Sequence, residues 1–200
     1  MTAADTRTEL LARIRSKQPA PLPLPELPAG IATADPRPPL QAFRAALERM
    51  GGRWAEAPAD GDLNALVARL FPDAKVVCSA TPEVRGTRAL DPTQPPATLD
   101  DVDVGVVRAA FGVAETGSVL LTETELQVEA LGFLAQHLLV LLDPGRIVAT
   151  LHDAYRSPAF TQARYTILMT GPSATADIEG VLIHGAQGIR SLTVVPLAAT

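Results

Sequence analysis

The stretch Leu138-Leu139-Val140-Leu141-Leu142 is apolar at every position and has the length of a buried β-strand. Similar strand signals recur on either side of it, and helical patterns lie between them. The predicted strands are Val119–Thr122, Leu138–Leu142, Ile167–Thr170 and Leu192–Val195, and the predicted helices lie around Gln127–Leu134, Arg146–Tyr155 and Ala176–His184. Strands that are apolar on both faces and alternate with helices are typical of a mainly parallel sheet covered by helices on both sides. The sequence therefore predicts an α/β fold, in which ligands bind beyond the carboxyl ends of the strands.

Upstream of these elements the pattern is helical before it becomes extended. Leu40, Phe43, Leu47 and Met50 follow helical spacing and are followed by Gly51-Gly52, which predicts a helix with a glycine stop. The remaining predicted elements are a helix over Leu63–Leu70 ended by Pro72, a short buried strand at Lys75–Ser79, and a long proline-containing loop at Thr81–Thr98.

The first 38 residues differ in composition from the rest of the chain. Leu10, Leu11 and Ile14 lie on one face of a predicted amphipathic helix over Thr6–Ser16. Alternating prolines follow, which favour extended polyproline geometry over a helix. We therefore divide the chain into a helical arm with a proline-rich strap, residues 1–38, and an α/β domain, residues 39–200. An arm of this kind needs a surface to dock on, either its own domain or a neighbouring subunit.

Composition excludes several classes of function. The chain has 200 residues, 47% of them hydrophobic, and a net charge of −5, so it can bury a core but offers no basic surface for nucleic acid or an anionic membrane. A single cysteine, Cys78, cannot form an internal disulfide or by itself hold an iron–sulfur cluster. No stretch has the length of a signal peptide core or a membrane span, and we expect a cytoplasmic protein.

The first candidate site precedes the strand at Val119. Glu115, Thr116, Gly117 and Ser118 place a carboxylate and two hydroxyls before an apolar strand, without the alternation that would make them core residues. Glu115 is a candidate general base, acyl nucleophile or acceptor for a ligand hydroxyl. The alternative is a turn in which Glu115 and Thr116 satisfy backbone donors.

The second candidate site follows the strand at Ile167. Gly171-Pro172-Ser173-Ala174-Thr175 leads into a predicted helix whose first turn carries Asp177 and Glu179. Ser173 and Thr175 are candidates to cap such a helix by accepting hydrogen bonds from its free backbone N–H groups. The alternative is that these N–H groups bind an anion, which would have to compete with the acidic residues of the first turn. The same loop approaches a serine-hydrolase elbow around Ser173, although Thr175 stands where that motif has glycine. The base for such a serine would come from His137, His152 or His184.

Other motifs carry weaker signals. His152-Asp153 are neighbours on a predicted helix and point in different directions, so they do not form a metal pair. Gly185-Ala186-Gln187-Gly188 is explained by the end of the preceding predicted helix. The sequence has neither the dinucleotide fingerprint nor a P-loop, and we expect no bound cofactor and no metal.

Three blocks in order carry a resemblance to a known family: Gly105–Ser118, Gly171–Glu179 and Gly185–Gly188. Together they resemble the LUD-domain family, in its lactate utilization protein C branch, over roughly Leu40 to Leu197. The resemblance implies a three-layer α/β/α domain similar to the ribose-5-phosphate isomerase and CoA-transferase group. The resemblance also implies that the protein acts with an iron–sulfur protein and a cysteine-rich oxidoreductase subunit in the oxidation of L-lactate to pyruvate. Ala174 departs from the family, whose members often have a basic residue there.

The resulting hypothesis is a non-redox subunit of a cytoplasmic L-lactate oxidation system, whose redox centres lie on its iron–sulfur partners. Positions that match the family's motifs would bind a small hydroxy or keto acid: Thr116, Gly117, Ser118, Gly171, Ser173, Thr175 and Asp177. Two alternatives remain open. One is a stand-alone isomerase or acyl/CoA-transferase-like enzyme that uses Glu115. The other is an assembly module that binds its partners, or further copies of itself in a homo-oligomer, through the arm.

Overall fold

A computed structural model describes residues 3–20, 22–23, 35–178, 181–185 and 187–198. Contacts divide the chain into two units, Met1–Ile31 and Ala32–Thr200. In the first unit, helix α1 (Ala3–Ser16) includes the predicted amphipathic helix, and its Leu10 and Ile14 side chains are 58% and 51% exposed. The prediction of an arm-and-strap segment that ends at residue 38 stays a prediction.

The centre of the second unit is a five-stranded sheet in which every pair of neighbours is parallel. Its strands are β1 (Arg53–Trp54), β2 (Val77–Ser79), β3 (Val104–Arg108), β6 (His137–Leu142) and β11 (Ser191–Pro196), in the spatial order β1-β11-β6-β3-β2. The run Leu138–Leu142 is therefore the middle strand. One buried cluster lies on each face of the sheet. Leu138, Val140 and Leu142 belong to the first cluster, and Leu139 and Leu141 belong to the second. Burial on both faces explains why this strand is uninterruptedly apolar.

Helices cover both faces of this sheet, which confirms the predicted α/β architecture. Helix α3 (Leu63–Leu70) contributes Leu63, Leu66 and Val67 to the cluster on one face. Helix α2 (Pro39–Arg49) contributes Ala42, Phe43 and Leu47 to the cluster on the other. Further helices are α4 (Glu123–Leu126), α5 (Leu131–Leu134), α6 (Leu151–Arg156) and α7 (Pro158–Thr161), with one 3-10 turn at Pro96–Leu99 in the predicted long loop. Within the described ranges, no helix is long and apolar enough to cross a membrane.

A second, mixed sheet differs from the sequence prediction. It contains β4 (Phe111–Val113), β5 (Ser118–Thr122), β7 (Ile147–Val148) and β8 (Thr166–Met169), in the order β7-β4-β5-β8. The predicted strands at Val119–Thr122 and Ile167–Thr170 exist, but they pair antiparallel with each other and lie outside the parallel sheet. The short turn between β4 and β5 makes them a hairpin, since a parallel crossover needs a dozen or more residues.

The helix predicted over Ala176–His184 is wrong. The chain instead forms an antiparallel hairpin of β9 (Ala174–Ile178) and β10 (Val181–His184). Val181 pairs with Ile178, and in the sequence a two-residue segment that ends in glycine, as Glu-Gly does after Ile178, is typical of a hairpin loop. Flanking β-branched residues also favour strand over helix. The glycines at 185–188 therefore follow a strand rather than cap a helix.

Candidate functional site

The two predicted loops lie side by side, because β5 and β8 pair with each other. Val119 is opposite Met169, so Ser118 at the start of β5 reaches Thr170, the residue after β8. The Ser118 hydroxyl is hydrogen-bonded to that of Thr170, and the Thr116 hydroxyl lies 2.7 Å from that of Ser118. We call Thr116, Ser118 and Thr170 the hydroxyl chain. Ser118 within it is buried.

Both motif glycines pack against the carboxyl end of α2. Gly117 has a φ of +70°, and a Cβ built on it would lie 2.2 Å from the Leu47 amide nitrogen. Gly171 has a φ of +64°, and its Cβ would lie 2.3 Å from the Met50 carbonyl oxygen. A side chain at either position would thus meet backbone atoms. The glycines bring both loops against the same helix end.

A cavity of about 410 Å³ opens beside the hydroxyl chain, and we call it the Glu115 pocket. Its lining residues are Arg49, Met50, Glu115, Thr116, Ser118, Leu151, Tyr155, Leu168 and Thr170. Arg49 takes part in none of the ion pairs among the described residues. The lining residues thus supply one guanidinium, one carboxylate, the three hydroxyls of the hydroxyl chain, the phenol of Tyr155 and apolar side chains.

Glu115 is also a structural residue in this geometry. Its Oε2 accepts a hydrogen bond of 2.8 Å from the Leu151 amide at the start of α6. Thr150 caps the same helix, and its hydroxyl and the Asp153 carboxylate form a reciprocal capping box. Both interpretations of Glu115 therefore have support: it satisfies a backbone donor, and it lines a pocket.

A second cavity, about 560 Å³, lies beside the other loop, and we call it the Gly171 pocket. It is lined by Gly132, Phe133, Leu134, Ile167, Leu168, Met169, Thr170, Gly171, Pro172, Ser173, Thr175, Gln187, Gly188 and Ile189. Leu168 and Thr170 also line the Glu115 pocket, so the two cavities adjoin at this strand end. The walls of this larger pocket are mostly apolar.

The expected helix-start chemistry of the second loop is wrong, because no helix follows it. Ser173 precedes β9, and its backbone is tied to the base of the hairpin, donating to the Ile189 carbonyl and accepting from the Gly185 amide. A hydrolase elbow needs a strand–turn–helix context, so Ser173 is not one. Thr175 is exposed on β9. The side chain of Asp177 and the whole of Glu179 lie outside the described residues.

The carboxyl end of the parallel sheet carries a closed polar network. Arg108, the last residue of β3, donates from Nε to Glu83 at 2.7 Å and from Nη1 to the Leu197 carbonyl at 3.0 Å. Burial acts to raise the pKa of Glu83, but hydrogen bonds from Thr81 and Arg108 outweigh it and lower that pKa. Because these groups are one another's hydrogen-bond partners, we interpret the network as structural.

The histidines do not converge on Ser173 in the described part of the chain. His137 begins β6, and its Nδ1 is 2.8 Å from the Ser191 hydroxyl. His152 lies on α6, where its buried Nδ1 has no hydrogen-bond partner among the described residues. The side chain of His184 lies outside the described residues. Those residues also contain no group of three potential metal ligands.

Sequence reasoning missed several residues of the Glu115 pocket. Arg49 belongs to the last turn of a predicted helix, and Leu151 and Tyr155 belong to another, where their patterns indicate helix and nothing more. Their positions in the pocket depend on how α2 and α6 pack beside the β4–β5 turn. A lone arginine just before Gly51-Gly52 carries no signal that would identify it.

The arrangement defines a class: an α/β domain with a parallel sheet, a smaller mixed sheet and two adjoining pockets at one hairpin end. The LUD domain family model matches residues 96–196, which contain both candidate loops. The chain belongs to this family.

Individual relatives agree with that assignment. The chain is 26% identical to "Lactate utilization protein C" of Deinococcus radiodurans, over 97% of this chain and 96% of the relative. It is 27% identical to "Uncharacterized protein NMB1437" of Neisseria meningitidis serogroup B, over 48% of this chain and 43% of that protein. The chain thus spans less than half the length of this second relative.

The crystal structure of a DUF162 family protein from Deinococcus radiodurans has a similar fold. The TM-score is 0.61 at 19% identity, and the match covers 79% of this chain and 95% of that one. At this identity the likeness concerns the fold.

Proposed function

We propose that this chain is a non-redox subunit of an L-lactate oxidation system and works with iron–sulfur partner proteins in the cytoplasm. The similarity to a lactate utilization protein C along nearly the whole of both chains supports this proposal. The single cysteine, Cys78, is buried and cannot by itself ligate a cluster. In this proposal the electrons from lactate therefore pass to clusters on other chains.

The Glu115 pocket is the proposed binding site for a small hydroxy or keto acid. Arg49 would pair with the ligand carboxylate, since a guanidinium forms bidentate bonds with that group. The hydroxyl chain would bond to the ligand's hydroxyl or keto oxygen, because hydroxyls both donate and accept. The observation that carries this proposal is that one cavity of about 410 Å³ holds three linked hydroxyls and a guanidinium that forms no ion pair among the described residues. Gly171 and Ser173 would shape the adjoining wall, and Thr175 and Asp177 remain proposed ligand-binding residues.

Calorimetric titration with L-lactate and with pyruvate tests this site. We expect saturable binding of at least one of them, weakened about tenfold or more by Arg49→Gln, because a hydrogen bond to a charged group contributes about 1.5–3 kcal/mol. Thr170→Val should weaken binding as well, by removing one hydroxyl at similar volume. Arg69→Gln is the matched control, since Arg69 is exposed on α3 and lines neither the Glu115 pocket nor the Gly171 pocket. Equal affinities in all four proteins would refute the site.

The role in lactate oxidation is tested separately in cells. Deleting the gene should abolish growth on L-lactate while the iron–sulfur partners remain present by immunoblot. The partners should also co-purify with this chain from lactate-grown cells. Unimpaired growth on lactate in the deletion strain contradicts the proposal whatever the titrations show.

A stand-alone enzyme that uses Glu115 is the second candidate, because this carboxylate lines the pocket as well as capping α6. Glu115→Gln keeps an acceptor for the Leu151 amide but removes the base. Full complementation by this variant excludes a catalytic Glu115. Thr150→Ala is its control, since it weakens the same helix end and leaves the carboxylate in place. Loss of function in Glu115→Gln alone supports catalysis.

A further inference from the structure

A third cavity lies where the parallel strands β1, β6 and β11 begin. It measures about 270 Å³, and we call it the amino-edge pocket. Its lining residues are Arg53, Leu70, Phe71, Pro72, Asp73, Ala74, Asp103, Gln136, His137 and Arg190. Arg53 begins β1, Arg190 precedes β11, and His137 begins β6. These three strands are neighbours in the sheet, so their starts bring the three side chains to one place.

Both arginines of this pocket are unpaired in the part of the chain that the structure describes. None of its ion pairs involves Arg53 or Arg190. The backbone of Arg190 lies close to Gly185 at the hairpin base, since a Cβ on Gly185 would lie 2.9 Å from the Arg190 Cα. Two arginines thus line one cavity, and neither forms an ion pair with a carboxylate of the described residues.

His137 lines the same pocket as the two arginines, and two contacts orient its ring. Its Nδ1 is 2.8 Å from the Ser191 hydroxyl, and its ring stacks on Phe71 with the ring centroids 5.0 Å apart. Burial lowers the pKa of His137, and the positive charges of Arg53 and Arg190 lower it further. The imidazole therefore registers the positive potential that the two arginines create.

The two carboxylates that line this pocket, Asp73 and Asp103, form no ion pair with either arginine among the described residues. Asp103 accepts hydrogen bonds from the Lys75 amide at 2.7 Å and the Val76 amide at 2.8 Å. The Val76 and Lys75 amides lower the pKa of Asp103, which is therefore engaged in joining β2 to β3. Asp73 is exposed in the loop after α3. The formal charges of the lining thus balance, but no carboxylate of the described residues forms an ion pair with either guanidinium.

We propose that the amino-edge pocket binds a small oxyanion, the phosphate or carboxylate group of a metabolite, between Arg53 and Arg190 with His137 at its side. Each guanidinium presents a planar fork of N–H donors that matches the oxygens of a phosphate or a carboxylate group. Phe71 gives the ligand an apolar wall. This site shares none of its lining residues with the Glu115 pocket and stands independently of the lactate proposal.

Nuclear magnetic resonance of the His137 imidazole tests the site in the full-length protein. Its signals are assigned by comparison with His137→Asn, and inorganic phosphate and acetate are added in separate titrations at constant ionic strength. We expect at least one anion to shift the signals saturably and to raise the pKa of His137, because a bound negative charge offsets both arginines. Phosphate alone indicates a phosphorylated ligand, acetate alone a carboxylate, and both a general oxyanion site.

Variants decide whether the two arginines hold the anion. Arg53→Gln and Arg190→Gln should each weaken binding tenfold or more, and both side chains are exposed, so folding should survive. Arg85→Gln, an exposed arginine outside the lining of this pocket, is the control and should bind normally. The proposal fails if neither anion shifts His137 saturably, or if both single variants bind as the control does.

Discussion

At the scale of single residues, Gly117 explains more of the structure than any polar residue of its motif. Its φ of +70° is unfavourable for other residues, and an added Cβ would meet the α2 backbone. Gly117→Ala should therefore lower the free energy of unfolding by roughly 2–4 kcal/mol, from conformational strain and overpacking together. Chemical denaturation followed by circular dichroism measures this change.

Gly61 is a matched control for this substitution. Its φ is +75°, but nothing lies within 4 Å of where its Cβ would be. Gly61→Ala should therefore cost about 1 kcal/mol, the strain contribution alone. If both variants lose the same stability, the close approach of Gly117 to α2 is not what requires glycine.

The candidate residues differ in how far the sequence could assign them. Glu115 stood out because core periodicity did not explain it, and the structure then provides a partner in the Leu151 amide, distant in sequence. Arg53 and Arg190 gave no signal, since each is an isolated arginine and sheet order alone brings them together. Pairing of distant strands is the information that one-dimensional spacing lacks.

At the scale of elements, prediction succeeded where one periodicity dominated. The strand at Leu138–Leu142 and the helix at Leu63–Leu70 follow from burial patterns that tertiary contacts reinforce. The helix prediction for the segment from Ala176 failed because it relied on a predicted cap at Ser173. The Glu-Gly sequence at 179–180 and the β-branched residues beside it favour a hairpin, which is what the structure shows. Local capping signals are weaker than the pairing of two strands.

Helix α6 provides a test at this scale, because three side chains satisfy donors at its first turn: Glu115, Thr150 and Asp153. Thr150→Ala should destabilise the protein by about 1 kcal/mol, the usual cost of losing an N-cap. Glu115→Ala should have a cost of the same order, because the Leu151 amide loses its acceptor. Thermal unfolding of the variants measures both.

Thr161→Ala is the control for the α6 variants. The Thr161 hydroxyl is exposed and donates to the Ser157 carbonyl within α7, where its loss should change stability by less than about 0.5 kcal/mol. If Glu115→Ala is as neutral as this control, Glu115 contributes nothing to α6, and its presence in the pocket needs a functional explanation.

At the scale of the whole molecule, three buried clusters of described residues form the core of the second unit. Every residue of the three buried clusters lies between Ala42 and Val195. One cluster lies on each face of the parallel sheet, and the third belongs to the mixed sheet with α6 and α7. Each layer therefore draws its stability from residues of the second unit.

A chain of residues 39–200 should accordingly unfold cooperatively, with a midpoint within a few degrees of the full-length protein, because it keeps all of the buried clusters.

The assembly hypothesis adds that this truncated chain no longer joins its partners, which light scattering measures as the mass of the mixture. Leu10→Asp with Ile14→Asp in the full-length chain should have the same effect, since both side chains are exposed on α1. Leu22→Asp, at an even more exposed leucine outside α1, is the control. A truncated chain that still forms a complex of the expected mass would show that the arm has no part in assembly, and a non-cooperative transition would show that the domain depends on it.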